Sequence, residues 1–167
     1  MQRIIVTGAT SMIGVALIEE CIKHGTEVYA VVREGSKKRS RLPESSLIKF
    51  ADCSLEHLDR LPEMISQECD TFYHIAWGNT GENRNSSTEL QSRNIGYTLA
   101  AVKAAAALGC KRFIGAGSQA EYGLLDLDRI SPESAANPTT PYGAAKLASG
   151  YLARMLCKEL GIECIWP

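Results

Sequence analysis

The 167 residues are 45% hydrophobic and 22% charged, with a net charge of −1. That balance fits one globular domain with a full core and excludes a disordered chain. Near-neutral charge supplies no global field to attract nucleic acid or an anionic membrane, so neither is an expected partner.

The most apolar stretch, Leu99 to Leu108, is interrupted by Lys103 and is too short to cross a bilayer. Met1-Gln2-Arg3 runs straight into the strand-like Ile4-Ile5-Val6, so no leader is expected and the location read from the sequence is cytoplasmic. Six cysteines stand at 21, 53, 69, 110, 157 and 164, with no C-x-x-C spacing and no histidine at ligand distance. They read as buried cytosolic thiols, with no metal site expected.

Along the chain, Arg3–Thr7 is a β-rich run, and Met12–His24 reads as a helix ended by Gly25, with Ile13, Ala16, Leu17 and Cys21 at helical spacing. Glu27–Val32 is a second strand and Ser36–Ser46 a polar, basic loop. Leu47–Ala51 is a third strand, Leu55–Ile65 a short helix, Thr71–Ile75 a fourth strand, and Gly78–Ser87, which lacks any aliphatic residue, an exposed loop. Glu89–Leu108 is a long alanine-rich helix. Lys111–Ala116 is a fifth strand, followed by a long loop to Pro141. Pro141–Leu160 is a second long helix, with proline where a first turn tolerates it, and Ile162–Trp166 begins a sixth strand. Strands alternating with helices predict an α/β fold: a doubly wound parallel sheet, covered on both faces, in the order 3-2-1-4-5-6.

The first strand runs into Thr7-Gly8-Ala9-Thr10-Ser11-Met12-Ile13-Gly14, which opens a helix. Unpaired N–H groups and the helix dipole make that end an anion site. Gly8 suits the tight turn and Gly14 the close packing of helix on sheet, so Gly8, Thr10, Ser11, Met12, Ile13 and Gly14 are the expected pyrophosphate contacts. After the second strand, where an acid would hold a ribose 2′-OH, stands Arg33, followed by Lys37, Lys38, Arg39 and Arg41. An arginine there suits a 2′-phosphate, so NADP is favoured over NAD. The alternatives are a solvated basic loop, or Glu34 in the acidic role.

Tyr142-Gly143-Ala144-Ala145-Lys146 opens the last long helix, and i to i+4 spacing puts Tyr142 and Lys146 on one face. A free tyrosine titrates near about 10, too high for a base at neutral pH. A neighbouring ammonium lowers it, so Tyr142 becomes a candidate acid/base and Lys146 its tuner. Tyr151 lies on the same helix but has Met155, not lysine, four residues on.

Thr7-Gly8-x-x-Ser11-x-x-Gly14 together with Tyr142-x-x-x-Lys146 resembles the extended short-chain dehydrogenases/reductases, the NAD-dependent epimerase/dehydratase family of nucleotide-sugar enzymes. One departure is Ser11, which stands where the family usually has glycine; its hydroxyl either donates to a phosphate or crowds the approach. The resemblance implies that Asp52 accepts from the adenine amino group, with Cys53 beside it, the alternative being a turn residue or helix cap. It implies that the small Ala76, in His74-Ile75-Ala76, lets the cofactor ribose pass, with His74 a packed residue, and that Asn94 braces backbone near the site. It assigns Ser118 as the clamp on the substrate oxygen, and Lys146 a further hydrogen bond to the nicotinamide ribose. Dehydratases of the family carry Asp-Glu after that Ser/Thr, whereas here Gln119-Ala120 follow and Glu121 is out of register. The expected function is therefore an NAD(P)-dependent sugar-nucleotide epimerase or reductase; the alternative is a dinucleotide-binding module without turnover. Family members continue into a smaller C-terminal substrate domain, which is expected to be absent from this chain. A homodimer through helices 89–108 and 141–160 is also expected, from their apolar residues in excess of one buried stripe.

Overall fold

The computed structural model describes residues 2–125, 129–131 and 133–167. Six strands form one fully parallel sheet: β1 (Arg3–Thr7), β2 (Glu27–Val32), β3 (Ile48–Asp52), β4 (Thr71–His74), β5 (Arg112–Gly115) and β6 (Glu163–Ile165). Their spatial order is β3-β2-β1-β4-β5-β6, as the alternation of elements predicts.

Side-chain alternation along the central strands divides the core in two. Ile4 and Val6 of β1 join Val28, Ala30 and Val32 of β2 against Ile18 of helix α1 (Met12–Lys23). Ile5, Tyr29, Val31, Phe72 and Phe113 face the other way. They pack on Ala101, Ala104, Ala105 and Leu108, at the end of helix α3 (Thr88–Ala107), and on Ala153 and Cys157 of helix α4 (Pro141–Glu159). Both faces of the sheet are thus covered, and each wholly buried side chain such as Phe72 or Phe113 contributes about 1.5–3 kcal/mol of burial energy. The long helices α3 and α4 pack against each other on one side of the sheet, as expected.

Three local expectations need correction. The predicted helix Leu55–Ile65 is a 3-10 turn, Leu55–Arg60, kinked at His57, followed by the four-residue helix α2 (Leu61–Met64), with Pro62 in its first turn. Proline lacks the N–H needed to continue the earlier turn and is tolerated only at a new helix start. The basic loop Ser36–Ser46 contains a 3-10 turn, Lys37–Arg41, capped by the Ser36 hydroxyl. The loop Gly78–Ser87, largely exposed, likewise contains a 3-10 turn, Glu82–Asn85. Within the long loop before Pro141, positions 126–128 and 132 lie outside the described residues, as does Met1.

Candidate active site

The C-terminal ends of β1, β2 and β4 open onto a cleft of ≈ 550 Å³. Gly8 turns the chain there at φ +69°, and a Cβ on it would lie 2.7 Å from the Ala76 amide nitrogen. A Cβ on Gly14 would lie 2.3 Å from the Gly8 carbonyl oxygen. The two glycines therefore let the loop, the first turn of α1 and the end of β4 pack backbone against backbone. Ser11 is the N-cap of α1: its Oγ accepts from the Gly14 N–H at 3.0 Å, which leaves its hydroxyl proton as a donor on the cleft wall. Met12 and Ile13 begin the helix with side chains 77% and 58% exposed. Gly8, Thr10, Ser11, Arg33, Cys53 and Ala76 all line the cleft.

Met12, Ile13, Gly14 and Asp52 are not on that wall. Asp52 closes β3, half-exposed, and its carboxylate is ion-paired with Arg39 of the basic turn. Its expected place as the adenine acceptor is therefore contested by a neighbour. Lys38 and Arg41 join Arg33 at the end of the cleft beside β2. A helix N-terminus, two glycines that admit close approach and a basic far end suit an elongated anion of dinucleotide shape.

Past Trp77, which lines the cleft, lies the candidate catalytic group. Thr140 caps α4, its Oγ1 accepting from the Gly143 N–H at 3.1 Å. Gly143 packs so tightly on the turn after β5 that a Cβ would lie 2.2 Å from the Ala120 carbonyl oxygen. That contact sets Tyr142 and Lys146 beside the end of β5. Lys146 is 3% exposed, and its ammonium donates to the Ala116 carbonyl at 2.6 Å. Burial pulls its pKa down to about 8, against the opposing pull of Glu121. Ser118 caps the 3-10 turn Gln119–Glu121: its Oγ accepts from Ala120 N–H, while Glu121 Oε1 accepts from Ser118 N–H at 2.8 Å and from Trp166 Nε1 at 3.2 Å. Glu121 is thus a brace for Ser118. Ser118, Gln119 and Tyr122 line a second cavity of ≈ 680 Å³ beside the end of β6.

The model of the NAD dependent epimerase/dehydratase family matches residues 4–166. The chain belongs to that family. It is 28% identical over 145 residues to a dTDP-6-deoxy-L-talose 4-dehydrogenase (NAD(+)) of Aggregatibacter actinomycetemcomitans, covering 87% of this chain and 52% of that protein. It is 24% identical over 149 residues to a UDP-glucose 4-epimerase of Streptomyces lividans, covering 89% and 45%. Among solved structures, the fold matches UDP-glucose 4-epimerase of Thermus thermophilus in complex with NAD at a TM-score of 0.84, with 21% identity over 99% of this chain and 54% of that one. The chain spans about half the length of the curated relatives it matches.

Within this family member, Asn94 clamps the backbone after β4 from both sides: Oδ1 accepts from Gly78 N–H at 2.7 Å and Nδ2 donates to the Gly78 carbonyl at 3.2 Å. Its role as a brace follows the sequence reading. Sequence reasoning missed Gln91, wholly buried, which accepts from Trp77 Nε1 at 2.9 Å and donates to the Asn79 carbonyl at 2.8 Å. The signal was available, because Gln91 stands three residues before Asn94 on the same helix face. Trp77 and Arg84, whose guanidinium lies 4.8 Å from the Tyr142 ring centroid, were also missed.

His74 is fully enclosed, and burial first, then the Lys146 charge, hold its pKa at about 3 against 6.5 when unfolded. Its Nδ1 shares a 2.9 Å hydrogen bond with Thr7 Oγ1, tying β4 to β1. Between pH 6.5 and about 3 the unfolded state binds a proton that the folded state refuses, so stability is lost as pH falls through that window. The loss is at most about 1.4 kcal/mol per pH unit. Thermal melts should show the midpoint declining below pH 6.5, and His74→Asn should flatten that decline. Equal acid limbs in both proteins would assign the effect elsewhere.

Proposed function

We propose that this chain carries the dinucleotide-binding and catalytic half of an NAD(P)-dependent sugar-nucleotide epimerase or 4-keto reductase. The observation that carries the reading is a buried Lys146 ammonium one helical turn from Tyr142, both packed on Trp77, which lines the cleft of the glycine loop. The nicotinamide cofactor, when bound, supplies the hydride acceptor or donor. The chain's own residues do the rest. Gly8, Ser11 and the first amides of α1 hold the pyrophosphate, while Arg33 and Cys53 border the adenosine. Ser118 holds the substrate oxygen, and Tyr142 takes or gives the proton of the substrate hydroxyl. Lys146 supplies positive charge beside Tyr142 while that proton moves.

Relatives named as acting on dTDP- and UDP-sugars support the substrate class. The full-length protein, incubated with NAD(P)⁺ or NAD(P)H and a panel of UDP- and dTDP-sugars, should change absorbance at the nicotinamide band or yield a C4 epimer by NMR. Binding of cofactor with no turnover of any sugar would favour the binding-module reading.

The NADP preference rests on Arg33, with Lys38 and Arg41 beside it, although several similar structures carry NAD. A ligand that binds only the folded state raises its melting temperature. NADP should therefore raise the midpoint more than NAD, and Arg33→Ala should erase the difference. Equal shifts in both proteins would remove the preference.

The homodimer is proposed through α3 and α4. Tyr151, Leu152 and Met155 of α4 are exposed, as a partner-facing stripe requires, whereas Val102 of α3 is buried in this chain's own core. Light scattering at micromolar concentration should give a dimer mass that Met155→Glu lowers. A monomer at every concentration would count against the bundle.

A further inference from the structure

Trp77 follows Ala76 at the mouth of the cleft and separates it from α4. Its indole N–H is fixed by Gln91, which is itself held by the Asn79 carbonyl and by Asn94 Nδ2 at 3.3 Å. Its ring packs perpendicular to Tyr142, with centroids 5.9 Å apart. Above its face, at 3.8 Å from the centroid, sits the Lys146 Nζ.

Several charged or titratable groups surround this ammonium. Glu121 faces it from the turn after β5, His74 from β4 and Tyr142 from the previous turn of α4, with Arg84 beyond the Tyr142 ring. Glu121 is the one anion of the four, and its Oε1 already serves Ser118 and Trp166. Lys146 makes no ion pair within 4.0 Å among the described residues. A buried charge left uncompensated is costly. Beyond the Ala116 carbonyl, the nearest group placed to compensate it is the Trp77 indole face, with the Trp166 ring farther off at 5.8 Å from the ammonium.

On the reading that Lys146 serves Tyr142, we propose that Trp77 is the positioning residue of that pair, its indole face seating the Lys146 ammonium and its perpendicular packing orienting the Tyr142 ring. The anchor behind it runs through Gln91 into α3. A small side chain at this place would leave the ammonium facing open cleft, free to turn away from Tyr142.

The test uses the full-length protein labelled with ¹³C-lysine and assigned with Lys146→Met. In the wild type, one lysine ε-CH₂ signal should lie upfield through the ring current of the indole. Trp77→Leu should return it to the ordinary lysine position and, by admitting water to the ammonium, raise its titration midpoint from about 8 toward the ordinary lysine value. Trp77→Phe keeps an aromatic face and should retain most of both effects. In turnover, Trp77→Leu should lower kcat and carry the alkaline limb upward with the Lys146 midpoint. A Lys146 signal indifferent to Trp77→Leu, or an alkaline limb that stays in place while only kcat falls, would overturn the proposal. The NMR signal needs no turnover, so an absence of epimerase and reductase activity would overturn the proposed function while leaving this contact decided on its own terms.

Discussion

Replacing Tyr142 by phenylalanine should lower turnover by about 10²–10⁴-fold, the usual contribution of a positioned proton donor or acceptor. The ring, its packing against Trp77 and the Arg84 contact above it all survive the change, so cofactor affinity and the melting temperature should barely move. The pH dependence belongs to the same prediction. Lys146 is a cation below about 8 and loses its charge as pH rises through that value. Activity that needs an ammonium beside Tyr142 should therefore fall across an alkaline limb near 8, well below where a surface lysine would place it. Steady-state rates from acid to alkaline pH check both points. Unimpaired turnover in Tyr142→Phe would remove Tyr142 from the reaction.

The second large effect is expected at Gly14. Any Cβ there meets the Gly8 carbonyl oxygen at 2.3 Å and the Ala9 carbonyl oxygen at 2.8 Å, both backbone atoms that cannot swing aside. Gly14→Val must push α1 off the loop, and overpacking of this kind costs about 1–3 kcal/mol. The melting temperature should drop by about 4–10 °C. The displaced helix amides should weaken dinucleotide binding by about 10–100-fold. A variant that melts and binds like the wild type would show that the loop tolerates the side chain.

Local chemistry decided how much of this was legible in the sequence. Alternating strand and helix patterns lead to the order β3-β2-β1-β4-β5-β6 because right-handed crossovers leave few alternatives. Gly8, Gly14, Tyr142 and Lys146 were legible because each occupies a fixed offset from a strand end or a helix start. Asp52 is the adenine acceptor that the family resemblance implies, and its pairing with Arg39 depends on a 3-10 turn that a basic, aperiodic stretch does not announce. The kink at Leu55–Met64 was hidden because its apolar spacing suits a continuous helix, and only Pro62 marks the break. Trp77 stayed invisible for a different reason: its partners Gln91 and Lys146 are 14 and 69 positions away along the chain, and a lone aromatic after a strand has no periodicity to betray what it packs on.

The central claim is that the cleft from Arg33 to Trp77 holds a nicotinamide dinucleotide on the first turn of α1. Calorimetric titration of the protein with NAD⁺ and NADP⁺ tests it most directly. Saturable binding of at least one of them is expected, one per chain, weakened in Gly14→Val and retained in Tyr142→Phe. Binding of neither dinucleotide to the folded wild type would contradict it.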